Sequence, residues 1–284
     1  MKNISAAWGL FLLAALIVAA CGTFPSDPDC ASPDVFCVGL VTNLDGLDDR
    51  SFNQGAWAGL QQAQEKLDAS VKYIETVDWK DYSKNISTFA EAGYDVIVTV
   101  GYDLTNATIE AAAEYPDISF IGIDQQSEET RANFTGLAFP DDQAGFLAGA
   151  LAAQMTQTGK VGGVFASDVV TYIWRFGEGY RAGAQYINPE VEVLIEYHNN
   201  ASVSTSFSDP EWGASTSMSL IEQGADVIVG AGGRTGDGAV VGAVQAGALA
   251  IGFNTDQYFT LPEAQKGLLS SVIKQVTPGV FSLI

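Results

Sequence analysis

The segment 93-GYDVIVTVGYDLTNATIEAA-112 aligns without gaps to 224-GADVIVGAGGRTGDGAVVGA-243, and this pairing decides the fold. Each copy carries a short β-branched run, DVIV, that ends at glycine and leads into a helix-length stretch. That order is the mark of a strand-turn-helix unit in a parallel sheet. Two further matches keep nearly the same offset. The stretch 120-FIGID-124 pairs with 250-AIGFN-254, and 51-SFNQGAWAGL-60 pairs with 175-RFGEGYRAGA-184. Three registers at nearly one spacing predict two similarly built lobes. In open parallel sheets, ligands sit beyond the carboxyl ends of the strands.

Outward from the repeat, the strands are expected at 35–42, 71–76, 95–101, 118–124, 160–166, 191–197, 226–232 and 248–254. Helices are expected at 51–67, 81–92, 105–114, 141–156, 175–187, 213–223 and 236–246. The loops after these strands are dense in Asp, Asn, Ser, Thr, Gly and aromatic residues. They include 43-NLDGLDDRSFN-53, 167-SDVVTYIWRF-176, 198-HNNASVSTSFSDPEW-212 and 254-NTDQY-258. Nucleoside and carbohydrate sites need that mixture, with carboxylates and amides for hydroxyls and flat rings for stacking.

The chain has 284 residues, 47% of them apolar, which suits two lobes better than one. Its 13 basic and 34 acidic residues leave a net charge of −21, which repels nucleic acid and anionic membranes. The amino end, with Lys2 and the apolar run 6-AAWGLFLLAALIVAA-20, is too short to span a bilayer and reads as a signal peptide over 1–20. The ending 18-VAAC-21 resembles a lipobox, which makes Cys21 the expected lipidation site, and 21–34 reads as a tether. Cys30 and Cys37 form a disulfide or leave Cys37 a buried thiol. A single histidine, His198, removes most histidine-based catalytic constellations.

The run 230-GAGGRTGDG-238 departs from a dinucleotide fingerprint at Thr235 and lacks a P-loop lysine, so it reads as a tight turn that a ligand can approach. Asp48 and Asp49 are open to acid–base work or to plain turn chemistry. Ser51 and Gln54 form a capping-box pattern at the first helix. By spacing, Phe52 is the first residue of a core stripe or a stacking platform at a loop–helix junction. Phe207, Trp212 and Trp174 fall in long polar loops and are stacking candidates. Lys274 reads by default as a solvated lysine. No metal-ligand spacing and no cofactor motif emerges.

Laid out in this way, 46-GLDDRSFNQGAWAGL-60, 93-GYDVIVTVG-101, 136-GLAFPDDQAGFLAGALAA-153, 224-GADVIVGAGG-233, 251-IGFNTDQY-258 and 270-SSVIK-274 resemble the basic membrane protein family of ABC-transporter substrate-binding lipoproteins. The resemblance implies an α/β type I periplasmic-binding fold, with two Rossmann-like lobes, parallel sheets and a hinge. It implies lobes at 35–138 and 139–252, with 253–284 returning to the first lobe and the chain ending early relative to the family. It implies a purine nucleoside as ligand and an ABC permease as partner, on a lipid-anchored extracytoplasmic protein that is not an enzyme. Phe52 and Phe207 would stack on the base, Asn53 would bond to it, Asp124 would read the base edge or the ribose, Asp256 and Lys274 would hold ribose hydroxyls, and Gly232 and Gly233 would admit the sugar. Asn43, Asp48, Trp174 and Trp212 are further candidates. A sugar or another small polar solute is the alternative ligand. An exported glycosidase and a LacI-type regulator are the readings from other classes.

Overall fold

The computed structural model describes residues 29–284. The signal segment, Cys21 and most of the tether therefore lie outside the described residues. The first lobe runs β1 (Cys37–Val41), α1 (Phe52–Leu67), β2 (Ser70–Ile74), α2 (Tyr82–Glu91), β3 (Val96–Val100), α3 (Thr105–Glu114), β4 (Ser119–Ile123) and β5 (Phe134–Leu137). The second runs α4 (Asp141–Met155), β6 (Lys160–Phe165), α5 (Thr171–Ile187), β7 (Glu192–Tyr197), α6 (Val203–Phe207), α7 (Pro210–Glu222), β8 (Val227–Ala231), α8 (Gly233–Gln245), β9 (Leu249–Asn254), α9 (Gln257–Thr260) and β10 (Leu268–Ile273). It is followed by α10 (Val276–Leu283).

Both sheets are parallel, ordered β2-β1-β3-β4-β5 and β10-β9-β8-β6-β7. Read in reverse, the second order is the first with five added to every strand number, so the lobes repeat one topology. The central strands β1, β3 and β8 are buried along their whole length, which is why they are unbroken apolar runs in the sequence. The edge strands β5 and β10 escape that signal. They are half-exposed, and β10 carries two serines.

The lobes exchange a helix. α4 follows β5 of the first lobe but packs on α5 of the second, and α10 follows β10 of the second lobe but packs on α1 of the first. The aligned glycines make both contacts close. A Cβ on Gly179 or Gly183 would strike the backbone of α4, and one on Gly59 would come within 2.9 Å of Val280. Thr277 Oγ1 donates to the Gly55 carbonyl at 2.8 Å. The return to the first lobe thus begins later than residue 253. Strand β10 pairs with β9 in the second sheet, and only α10 crosses back. Hydrophobic cores fill both faces of each sheet. Cys30 and Cys37 are joined, which ties the incoming chain to the start of β1. Among the described residues, no helix is long and apolar enough to cross a membrane.

Candidate functional site

Between the lobes, at the carboxyl ends of their strands, lies a cleft of about 530 Å³. The first lobe lines it with the β1–α1 loop. That loop is shaped by Asp49, whose carboxylate accepts the backbone N–H groups of Ser51, Asn53 and Gln54 at 2.8–3.1 Å. The expected Ser51 cap is therefore replaced. Ser51 makes no side-chain cap bond, because Asp49 reaches the free amides of the helix start first. Asn53 is fully buried. Its amide nitrogen donates to Asn43 Oδ1 at 2.6 Å and to Asp49 Oδ2 at 3.1 Å, and its oxygen accepts the Asn43 N–H. Asn43 and Asp49 line the cleft, and Asn53 braces them from behind. Phe52 does both things its position allowed: it belongs to the first-lobe core and shows one side to the cleft.

From the second lobe come Tyr172 at the start of α5, Ser204 and Phe207 on α6, the glycine turn into α8, and Phe253 and Asn254 at the end of β9. Gly232 and Gly233 have φ of +104° and +57°, and a Cβ on Gly233 would lie 2.6 Å from the Phe207 carbonyl oxygen. The turn needs glycine because α6 presses on it. Asp124 and Asn254, equivalent in the repeat, both take left-handed φ, of 55° and 74°. Ser204 Oγ donates to Asp103 Oδ2 at 3.1 Å, a direct bond from one lobe to the other.

Lys274 is buried, not solvated. Its ammonium lies 2.8 Å from Asp124 and 2.9 Å from Asp141, with four rings around it: Tyr172 at 4.5 Å, Phe139 at 5.2 Å, Phe52 at 5.3 Å and Phe253 at 5.4 Å. Asp124 faces the cleft, whereas the Lys274 ammonium is engaged behind it. Burial pushes the Asp124 carboxyl up to about 6 even against the pull of Lys274, and it raises Asp141 as well.

Of the remaining expected residues, Asp48 lines the cleft. Asp256 does not: it is exposed and caps α9 through the Tyr258 N–H. Trp174 and Trp212 are helical rather than in loops, because α5 and α7 start earlier than expected, at Thr171 and Pro210. Trp174 faces solvent, and Trp212 stacks on His198 at 4.1 Å. Tyr172, Asp103 and Asp237 are not among the candidates named from sequence, although each lies shortly after a strand: Asp103 in the turn after β3, Tyr172 and Asp237 early in α5 and α8. Asp237 lies inside the glycine run, where the motif drew attention to backbone alone. Burial lifts its carboxyl to about 6, with Asp45 and Asp49 across the cleft adding to the rise and Gln257 opposing it at 2.6 Å. Seven carboxylates line the cleft against two arginines, Arg50 and Arg234. Burial, the largest cause at each, also raises Asp45, Asp49 and Asp103.

A family model described as PnrA-like ABC transporter substrate-binding protein matches residues 37–282. The chain is 32% identical over 246 residues to the CD4+ T-cell-stimulating antigen of Listeria monocytogenes, covering 84% of this chain and 66% of that protein. It is 34% identical over 205 residues to the ABC transporter nucleoside-binding protein BmpA of Lactococcus lactis, covering 70% of this chain and 56% of that one. The chain thus spans two thirds or less of the length of these relatives. A solved ABC transporter solute-binding protein from Aeropyrum pernix superposes with a TM-score of 0.76 at 27% identity, over 87% of this chain and 69% of that one.

Proposed function

Because the chain belongs to the PnrA-like family of ABC transporter substrate-binding proteins, we propose that its cleft captures a purine nucleoside for delivery to an ABC permease. The observation that carries this reading is the meeting of two rings with a field of carboxylates. Phe52 lines the cleft from one lobe and Phe207 from the other, and Asp103, Asp124 and Asp237 line the same cleft. A flat base gains stacking energy between aromatic faces, about 1–3 kcal/mol per ring contact. Ribose hydroxyls donate to carboxylates that burial has made strong acceptors. With seven acidic groups against two arginines, a phosphate would meet repulsion, so nucleosides are favoured over nucleotides.

Closure of the lobes over the ligand would present the docking form to the permease. Cys21, outside the described residues, would carry the lipid that holds the protein at the outer face of the membrane. Asn43 and Asp48 would add polar contacts at the rim. Asn53 and Lys274 act on the ligand through Asn43, Asp49 and Asp124 rather than by touching it.

A thermal-shift panel of inosine, guanosine, adenosine, their 5′-monophosphates, and neutral sugars tests the reading. Stabilisation by nucleosides is expected, about 2.7 kcal/mol at a hundredfold excess over Kd. A response to sugars alone would replace the nucleoside with a polyol ligand, and steady release of free base would make the protein a hydrolase.

A further inference from the structure

Residues 199–208 leave β7 and return to α7 as an arm that carries three cleft residues, Ser204, Phe207 and Ser208. Its two flanking residues are clasped to each other. His198 Nε2 lies 3.1 Å from Asp209 Oδ2, Asp209 Oδ1 accepts the Trp212 backbone N–H at 3.0 Å, and the Trp212 ring lies flat on the imidazole, 4.1 Å away and 5° from parallel. Each of the three residues therefore contacts the other two. The clasp is itself fixed on both sides. The His198 backbone N–H donates to the Phe165 and Ala166 carbonyls at the end of β6, and the Asp209 backbone N–H donates to Thr235 Oγ1 on α8.

The imidazole is 93% buried by residue, since its exposure is 7%, and its Nδ1 has no partner. Nε2 faces the Asp209 carboxylate, and Nδ1 is left without a partner and out of reach of water. An unpaired buried nitrogen costs stability, so an apolar ring would serve packing better. What the histidine adds is the bond that closes the base of the arm. Further out, the arm touches the opposite lobe through Ser204 and Asp103, and Phe207 leans on Tyr172 with centroids 6.4 Å apart.

We propose that His198 is a positioning residue for ligand capture: through Asp209 and Trp212 it holds the 199–208 arm so that Phe207 and Ser204 meet the ligand and the opposite lobe. The ligand half of this inference rests on the nucleoside reading above, whereas the mechanical half does not. Histidine takes this place because it offers a flat ring to the indole and a donor to the carboxylate at once.

The test uses the full chain with His198→Ala, His198→Gln, and both placed in a Phe207→Ala, Ser204→Ala background, read by amide exchange and by inosine titration. Without ligand, exchange in 199–208 rises about tenfold or more in His198→Ala while α5 is unchanged, and His198→Gln, which retains a donor, restores protection. Inosine affinity falls about tenfold in His198→Ala, recovers to within about threefold in His198→Gln, and shows no further loss in the background that lacks both arm contacts. Unchanged exchange in the arm overturns the proposal whatever binds. An affinity loss of equal size in the double-alanine background overturns it too, because the effect would then not run through the arm. If the wild-type chain binds no inosine, the nucleoside reading fails and the exchange result alone decides this one.

Discussion

Replacing Lys274 by methionine should damage the fold strongly and in a pH-dependent way. The side chains of Lys274, Asp124 and Asp141 are 3%, 2% and 4% exposed, and one ammonium serves both carboxylates. Methionine fills the space among the four rings but leaves two buried acids without a cation. Removing one partner of a buried ion pair costs about 3–5 kcal/mol, which in a chain of this size lowers Tm by roughly 10 °C. The pH dependence follows from the carboxylates. Asp124 titrates near about 6, above its unfolded value of 3.8, so the folded state holds that proton more tightly and stability falls as pH rises through this window. In Lys274→Met the influence that opposes the rise is gone, and Asp124 and Asp141 titrate higher still. Because both carboxyls are raised further in the folded variant while their unfolded values are unchanged, the deficit is smallest in acid and grows as pH rises through the Asp124 window. Calorimetric melts of wild type and variant across that range measure the difference directly. Adding Asp124→Asn and Asp141→Asn to the variant should recover most of the loss, since no buried charge remains. A deficit below about 1 kcal/mol, the size of an exposed pair, would refute the reasoning. So would a deficit that does not grow with pH.

Two further outcomes follow from the same structure. Phe52→Ala should lower stability by about 3 kcal/mol, because Phe52 packs in the first-lobe core, and should weaken inosine binding at least about tenfold by loss of a stacking face; chemical denaturation and calorimetric titration separate the two effects. Opening the Cys30–Cys37 bridge, which closes a loop of sequence separation 7, should cost about 2.5 kcal/mol. A reductant should therefore lower the Tm of wild type and leave a Cys30→Ala, Cys37→Ala variant unmoved.

Much of the architecture was legible because the six interior strands, buried on both faces, must be continuous apolar runs. Of the four edge strands, β2 and β7 keep enough apolar residues to be read, whereas β5 is only four residues long and β10 is interrupted by Ser270 and Ser271. The helix exchange was hidden for a related reason. Nothing in the sequence of α10 says which lobe it covers, although the glycines in 51–60 and 175–184 already marked two helix faces able to accept close neighbours. In the cleft, Phe52 and Phe207 could be found from position and residue type. Asp237 could have been found by the same strand-end rule, while Asp256 was chosen from a neighbouring loop and proves to be a helix cap. The Lys274 environment was out of reach, because both its carboxylates and three of its four rings, all but Phe253, come from segments more than a hundred residues away in sequence, brought together only at the crossing.

That crossing also bears on why a ligand would be needed for closure. The first lobe brings Asp45, Asp49 and Asp103 to the cleft and the second brings Asp237, and Asp45 and Asp49 both raise the Asp237 carboxyl. Bringing the lobes together therefore sets like charges against each other, with Arg234 from the second lobe relieving Asp45 in part. At the hinge the balance is opposite, because the Lys274 ammonium joins Asp124 at the end of β4 to Asp141 at the start of α4. The hinge is thus held while the mouth is electrostatically spread. A neutral ligand whose hydroxyls donate to the carboxylates from both lobes supplies the missing hydrogen-bond donors without adding charge. A phosphate adds charge of the wrong sign to the same narrow space. On the proposed reading, the force that would close the cleft and the force that would select an uncharged ligand are the same.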